Sequence, residues 1–121
     1  ACRIHKLHFM DELIGVGGGE QKQFFHALHG RLHGGASVAL AETVGSLAAN
    51  LTLDPAKQIA VGLDINANHI RPVKQGLVIA TARPEALGRT TQVWSIRIVD
   101  EQDRLVCISR LTMAVISVDR Q

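Results

Sequence analysis

At 121 residues the chain is long enough for one domain with a buried core. Apolar residues make up 46% and charged residues 20%, which excludes a disordered polyelectrolyte. The formal charge of +2 leaves no electrostatic footprint for nucleic acid, and no apolar run reaches the ~20 residues that a membrane-spanning helix needs. Neither a nucleic-acid nor a membrane partner is therefore expected.

Cys2 and Cys107 lie far apart, and Cys107 sits in a run that reads as a buried strand, so a disulfide framework is not expected. The opening residues Ala1 to Lys6 lack an initiator Met and the long apolar core of a secretory signal. The expected compartment is cytoplasmic.

In chain order, Leu7 to Val16 reads as a short helix, Gly17-Gly18-Gly19 as a break and Gln23 to Leu28 as a strand. One strong helix follows, from Ser37 to about Leu53, with Leu40, Val44, Leu47 and Leu51 at helical spacing. Its other face is small and partly polar: Glu42, Gly45, Ser46 and Ala49. Gly34-Gly35 open it, and Asp54-Pro55 close it because proline cannot continue a helix. Such an apolar helix is expected to be wrapped by a sheet.

Four strands are expected after it. Ile59, Val61, Leu63 and Ile65 alternate with Ala60, Gly62, Asp64 and Asn66, the period of a strand with one face buried. Leu77 to Arg83 is the second strand, and Pro84 to Gly88 breaks the pattern. Trp94, Ile96 and Ile98 share a face in the third, Thr90 to Val99. Asp100 to Asp103 is a polar turn, and Leu105 to Val118 is a long last strand. Short connections predict antiparallel neighbours.

The densest polar constellation is His33-Gly34-Gly35-Ala36-Ser37, followed on the helix by Glu42 and Ser46. Backbone N–H groups at a helix start attract negative charge and stabilise the oxyanion of a polarised carbonyl. Two glycines there let a substrate approach the backbone. A carboxylate on a small, apolar helix face is costly to bury without partners or a purpose. Residue chemistry alone leaves two readings open: a catalytic carboxylate beside an oxyanion site, or a solvated glutamate behind a diglycine loop.

The run from Leu32 to Ser46 closely resembles the central-helix motif of hotdog-fold thioesterases. The nearest branch is the phenylacetate-type one, which includes the enterobactin-pathway proofreading and dihydroxynaphthoyl-CoA thioesterases. Gly62 to Arg71 is similar to the strand that follows in this group. Leu87-Gly88-Arg89, Gln92-Val93-Trp94 and Ser109-Arg110-Leu111-Thr112 continue the resemblance in order. It extends to Val118, while residues 1–31 match poorly, and the whole chain reads as a single hotdog domain. Family members carry a Gln shortly before the motif His; Ala27 stands there, with Gln23 and His26 nearby, so that contact is not carried over.

The resemblance implies an α+β fold in which a curved antiparallel sheet wraps one long central helix. It implies a homodimer or homotetramer with active sites between subunits, and an acyl-CoA or acyl-carrier-protein thioester as substrate. The implied reaction is hydrolysis of an aryl or medium-size acyl thioester. Glu42 would be nucleophile or general base, in a dry pocket between subunits. The Gly34 N–H would polarise the carbonyl with Gly35 beside it, His33 would position the thioester, and Ser46 would orient water or Glu42. A partner subunit would bring Asn68, His69 and Arg71 to the substrate, and Gly88 and Arg89 would meet the CoA nucleotide. No cofactor is implied, CoA being part of the substrate. The rival readings are a hotdog dehydratase or hydratase, and a non-catalytic acyl-CoA-binding module.

Other signals are weaker. His26, His29 and His33 share a helical face, but Gly30 and Gly34 interrupt any such helix, so no metal is expected. The triple glycine lacks the Lys-Ser/Thr of a phosphate loop. Trp94 reads as core, Cys107 as packing, and Arg83, Arg97, Arg104 and Arg110 as solvated or interface charges.

Overall fold

The computed structural model describes residues 34–73 and 77–118 of the chain. The short helix, the triple glycine, the first strand, Ala27 and the histidines up to His33 all lie outside the described residues.

Helix α1 spans Gly34–Leu51. It ends short of the expected Leu53, because Thr52 and Leu53 donate their N–H groups to the Ala49 and Asn50 carbonyls in a tighter last turn. Asp54 and Pro55 belong to a separate turn, in which the Asp54 side chain accepts from the Ala56 N–H at 3.0 Å and its carbonyl accepts from Lys57 and Gln58. No helix among the described residues is long and apolar enough to cross a membrane.

Four strands follow: β1 (Gln58–His69), β2 (Val78–Leu87), β3 (Thr91–Asp100) and β4 (Leu105–Ser117). They form one antiparallel sheet in the order β1-β4-β3-β2. Successive strands pair as expected from β2 to β4. The exception is β1, which pairs with β4 rather than with β2 and forms an edge of the described sheet. Strand β2 runs on through Pro84 to Leu87, where a break was expected, by way of a register shift between Pro84 and Ala86.

The helix lies across one face of this sheet and touches all four strands, the α+β arrangement expected. Trp94, Ile96, Ile98, Leu111, Met113 and Cys107 supply the sheet side of the core. The helix side differs from the predicted stripe. Leu40 and Val44 are buried, but Leu47 and Leu51 are 51% and 71% exposed. The covered face is made instead by Ala36, Ala41, Gly45, Ala48 and Ala49. Close seating explains the rotation: a Cβ placed on Gly45 would lie 2.5 Å from Leu111 Cδ2. At Gly45 the helix sits too close to the sheet for a larger side chain, and small residues flank that point of approach.

Strand β1 also departs from the simple alternation. Ala60 is buried while Ile59 and Val61 are exposed, so the even-numbered residues face the helix at its start. A register shift between Gly62 and Asp64 makes Leu63 the extra residue. Beyond it the odd-numbered Ile65 and Ala67 pack against the core. One bulge residue exchanges the two faces of the strand.

Candidate active site

Helix α1 presents Glu42, Ser46 and Asn50 at intervals of four residues, a polar stripe one turn apart. The stripe meets the sheet at the β1 side. The Glu42 carboxylate lies over Gly62: a Cβ built there would stand 3.2 Å from Glu42 Oε1. One turn on, Ser46 Oγ donates to Met113 Sδ at 3.9 Å, and Met113 is the cross-strand partner of Gly62. At the last turn the Asn50 side chain holds Ala60 from both sides. Its Nδ2 donates to the Ala60 carbonyl at 3.1 Å and its Oδ1 accepts the Ala60 N–H at 2.9 Å. Nδ2 also donates to the Ser46 carbonyl at 2.9 Å.

Glu42 and Ser46 line an open groove of about 450 Å³ with Ala39, Thr43 and Leu47. A single chain does not enclose Glu42, which is exposed. The dry pocket implied by the resemblance is therefore not a property of one chain.

The remaining predicted residues are spread out. Gly34 is the first residue of α1 and Gly35 the second. Glu42 follows Gly34 by eight residues, about 12 Å of helical rise. The expected carboxylate beside an oxyanion site is thus not formed within one helix. Asn68 and His69 are exposed at the far end of β1, and Arg71 is exposed just beyond it. Asn68 lies six positions along the strand from Gly62, roughly 20 Å at ~3.3 Å per residue. Gly88 and Arg89 are exposed in the turn between β2 and β3. There the Gly88 N–H donates to the Thr91 carbonyl at 2.9 Å, across the sheet from β1. One chain thus brings Glu42 and Ser46 together and holds the others apart. His33 lies outside the described residues.

Two features escaped the sequence reading. Asn50 continues the Glu42–Ser46 spacing by one more turn, a signal that was present in the i+4 pattern. Gly62 reads only as a strand glycine, and nothing in the sequence couples it to a helix twenty residues earlier. Of the arginines, Arg83, Arg97 and Arg110 are exposed on the sheet face turned away from α1. Arg104 instead donates from Nε to Asp100 Oδ2 at 2.8 Å. Cys107 is fully buried, and burial pushes its thiol up from the ordinary value, which suits packing rather than nucleophilic chemistry.

The model of the thioesterase superfamily matches residues 29–107. A relative from Vibrio cholerae is 61% identical over 92 residues, covering 76% of this chain and 61% of that protein. The 1,4-dihydroxy-2-naphthoyl-CoA hydrolase of Escherichia coli is 52% identical over 87 residues, covering 72% of this chain and 63% of that protein. The crystal structure of a Haemophilus influenzae thioesterase superposes with a TM-score of 0.75 at 55% identity, covering 78% of this chain and 65% of that one. The chain spans about three fifths of the length of these curated relatives.

Proposed function

Since the chain belongs to the thioesterase superfamily, we propose that it hydrolyses acyl-CoA or acyl-carrier-protein thioesters, with Glu42 as the reacting carboxylate. The observation that carries this reading is the position of Glu42: a carboxylate on the central helix, seated on a glycine of an edge strand and lining an open groove. The name of the Escherichia coli relative supports an aryl-CoA substrate, and we extend an aryl group to this chain on that ground, with a medium-size acyl group as the alternative.

The chemistry needs a nucleophile and a place for the charge that develops on the carbonyl oxygen. Glu42 attacks the carbonyl itself or takes the proton from an attacking water. The Gly34 N–H, at the start of the helix with Gly35 beside it, supplies the charge sink. The ~12 Å of helix between them means that one chain cannot aim both at one carbonyl. Glu42 of one subunit therefore works with Gly34 and His33 of another, in a homodimer or larger assembly. Ser46, one turn from Glu42, orients water or the carboxylate.

Strand β1 supports the same arrangement. It is an edge strand of the described sheet, and an antiparallel second copy added there closes a two-fold dimer. A two-fold axis near the middle of Gly62–His69 sets the partner's Asn68 and His69 opposite Gly62 and so beside Glu42. Arg71 follows at the same end. Gly88 and Arg89, exposed at a turn, suit the phosphates of the CoA nucleotide.

The test is release of free thiol from benzoyl-CoA by the native chain, by Glu42→Ala and by Gly34→Pro, alone and mixed. Each variant alone should lose ~100-fold or more. Mixed subunits should recover activity, since one site of a mixed dimer keeps both intact groups. Unchanged release by Glu42→Ala removes the carboxylate from the mechanism. Absence of release from any ester favours an acyl-CoA-binding module.

A further inference from the structure

The Asn50 clamp falls on the one side of Ala60 that strand pairing leaves open. Ala60 stands opposite Val115 of β4, and the Val115 N–H donates away from β1, to the Thr90 carbonyl at 2.9 Å. In an antiparallel ladder both residues of such a pair turn their backbone groups away from each other. The N–H and C=O of Ala60 therefore point off the edge of the sheet, where the Asn50 amide engages both. A side-chain amide there imitates the hydrogen bonds of a neighbouring strand, which is one way an edge is closed to further pairing.

Further along β1 the same alternation continues past the bulge. The Ile70 N–H donates to the Val106 carbonyl at 2.8 Å, so positions 66 and 68 turn their groups toward β4, while Ile65, Ala67 and His69 turn theirs outward. Exposed apolar side chains accompany this stretch: Leu63 is 61% exposed and Ile70 is 55% exposed.

We propose that Asn50 is the positioning residue that fixes the register in which a second copy of this chain adds to β1, by closing the edge at Ala60 and leaving Gly62 to His69 open. The occupant is a second copy because one strand pairs with itself antiparallel about a two-fold axis, matching donors and acceptors on both sides. The pleat allows only slips of two residues in the pairing sum, since an odd slip would set inward-facing residues against outward-facing ones. With Ala60 closed, the partner strand stops at Gly62, and its Asn68 and His69 come to rest at the Glu42 groove. With Ala60 open, the partner can slide by one such step. This rests on the two-chain reading above and names the device that aligns it.

The experiment maps the register in the full chain with Cys2→Ser, placing single cysteines at Ile65, Asn66 and Ala67 in turn. The residue on the two-fold axis faces its own copy and forms an intermolecular disulfide on mild oxidation. In the native background one of the three should cross-link. Asn50→Ala should add a second cross-linking position and lower kcat by ~10- to 100-fold through misplacement of the partner's strand. Asn50→Asp, which keeps the acceptor for the Ala60 N–H but loses both donors, should show the same second position at a smaller fraction. Circular dichroism confirms that each variant is folded. A single unchanged cross-linking position in a folded Asn50→Ala overturns the proposal and leaves the two-chain site standing. A native chain that sediments as a monomer overturns it as well. That outcome overturns the two-chain site with it, and thiol release by such a monomer would leave only the hydrolysis itself standing.

Discussion

The carboxylate of Glu42 rests on the backbone of Gly62, with 3.2 Å between Oε1 and the point where a side chain would begin. That contact couples the central helix to the edge strand at the residue proposed to react. A methyl group in Gly62→Ala meets the carboxylate rather than backbone, so the flexible side chain gives way by a few tenths of an ångström. The fold should survive and the aim should not. We expect Gly62→Ala to lower kcat by about 10-fold with little change in unfolding midpoint, and Gly62→Val to approach ~100-fold. Steady-state thiol release alongside urea unfolding checks both.

Gly45 makes the opposite kind of contact. A Cβ there would stand 2.5 Å from Leu111 Cδ2 and 3.2 Å from Ile96 Cδ1, both in the core. Neither neighbour can move far in a close-packed interior. Gly45→Ala should therefore cost about 1–3 kcal/mol by overpacking, despite the higher helix propensity of alanine. Urea unfolding measures it, and a stabilised variant would show that the helix seats less closely than described.

These two glycines also show what the sequence could and could not disclose. The helix, the four strands and the polar run from Gly34 to Ser46 were legible, because period 3.6, period 2 and Gly-Pro punctuation are local signals. The buried face of the helix was not. Leucine spacing pointed to Leu47 and Leu51, whereas the close axial approach selects Ala41, Gly45 and Ala48. The face of β1 was misread for a related reason: Leu63 fits the alternation but is the residue that the bulge inserts. Glu42 was legible as a candidate from its company on the helix. Its exposure was one of the two readings that residue chemistry left open, and the second chain proposed to cover it is something no local pattern describes.

Asp100 gives a pH signature. It is nearly covered at the β3–β4 turn and accepts from the Gln102 N–H at 3.0 Å, the Arg104 N–H at 2.9 Å and Arg104 Nε at 2.8 Å. Burial alone would raise its pKa, but the hydrogen bonds from Arg104 and Gln102 and the guanidinium charge outweigh burial and hold it below the ordinary 3.8. A lowered folded value means that the unfolded chain binds the proton more tightly. The stability from Asp100 is thus complete above the ordinary carboxylate value and drains away as pH falls through the lower folded one. Asp100→Asn should be less stable than the native chain at pH 7, with the gap narrowing below about pH 4. Thermal unfolding at pH 7 and at pH 3 should show that convergence; a gap that widens in acid contradicts it.

Trp94 offers a readout built into the chain, being its only tryptophan. It is fully buried, and its indole N–H donates to Gln92 Oε1 at 2.8 Å. Gln92 Nε2 in turn donates to Thr52 Oγ1 at 2.9 Å, and that hydroxyl donates to the Ala49 carbonyl at 2.7 Å. This relay ties the last turn of α1 to β3 and satisfies an indole that would otherwise be buried without a partner. Gln92→Leu removes the acceptor and leaves the indole N–H unpaired, at a cost of about 1–3 kcal/mol. Thr52→Val breaks only the far link and leaves the indole bonded, so it should cost less and leave the emission maximum of Trp94 in place. Gln92→Leu should shift that maximum to the blue, as the indole loses its polar neighbour. Equal losses of stability in the two variants, with no spectral difference, would show that the relay does not govern the tryptophan environment.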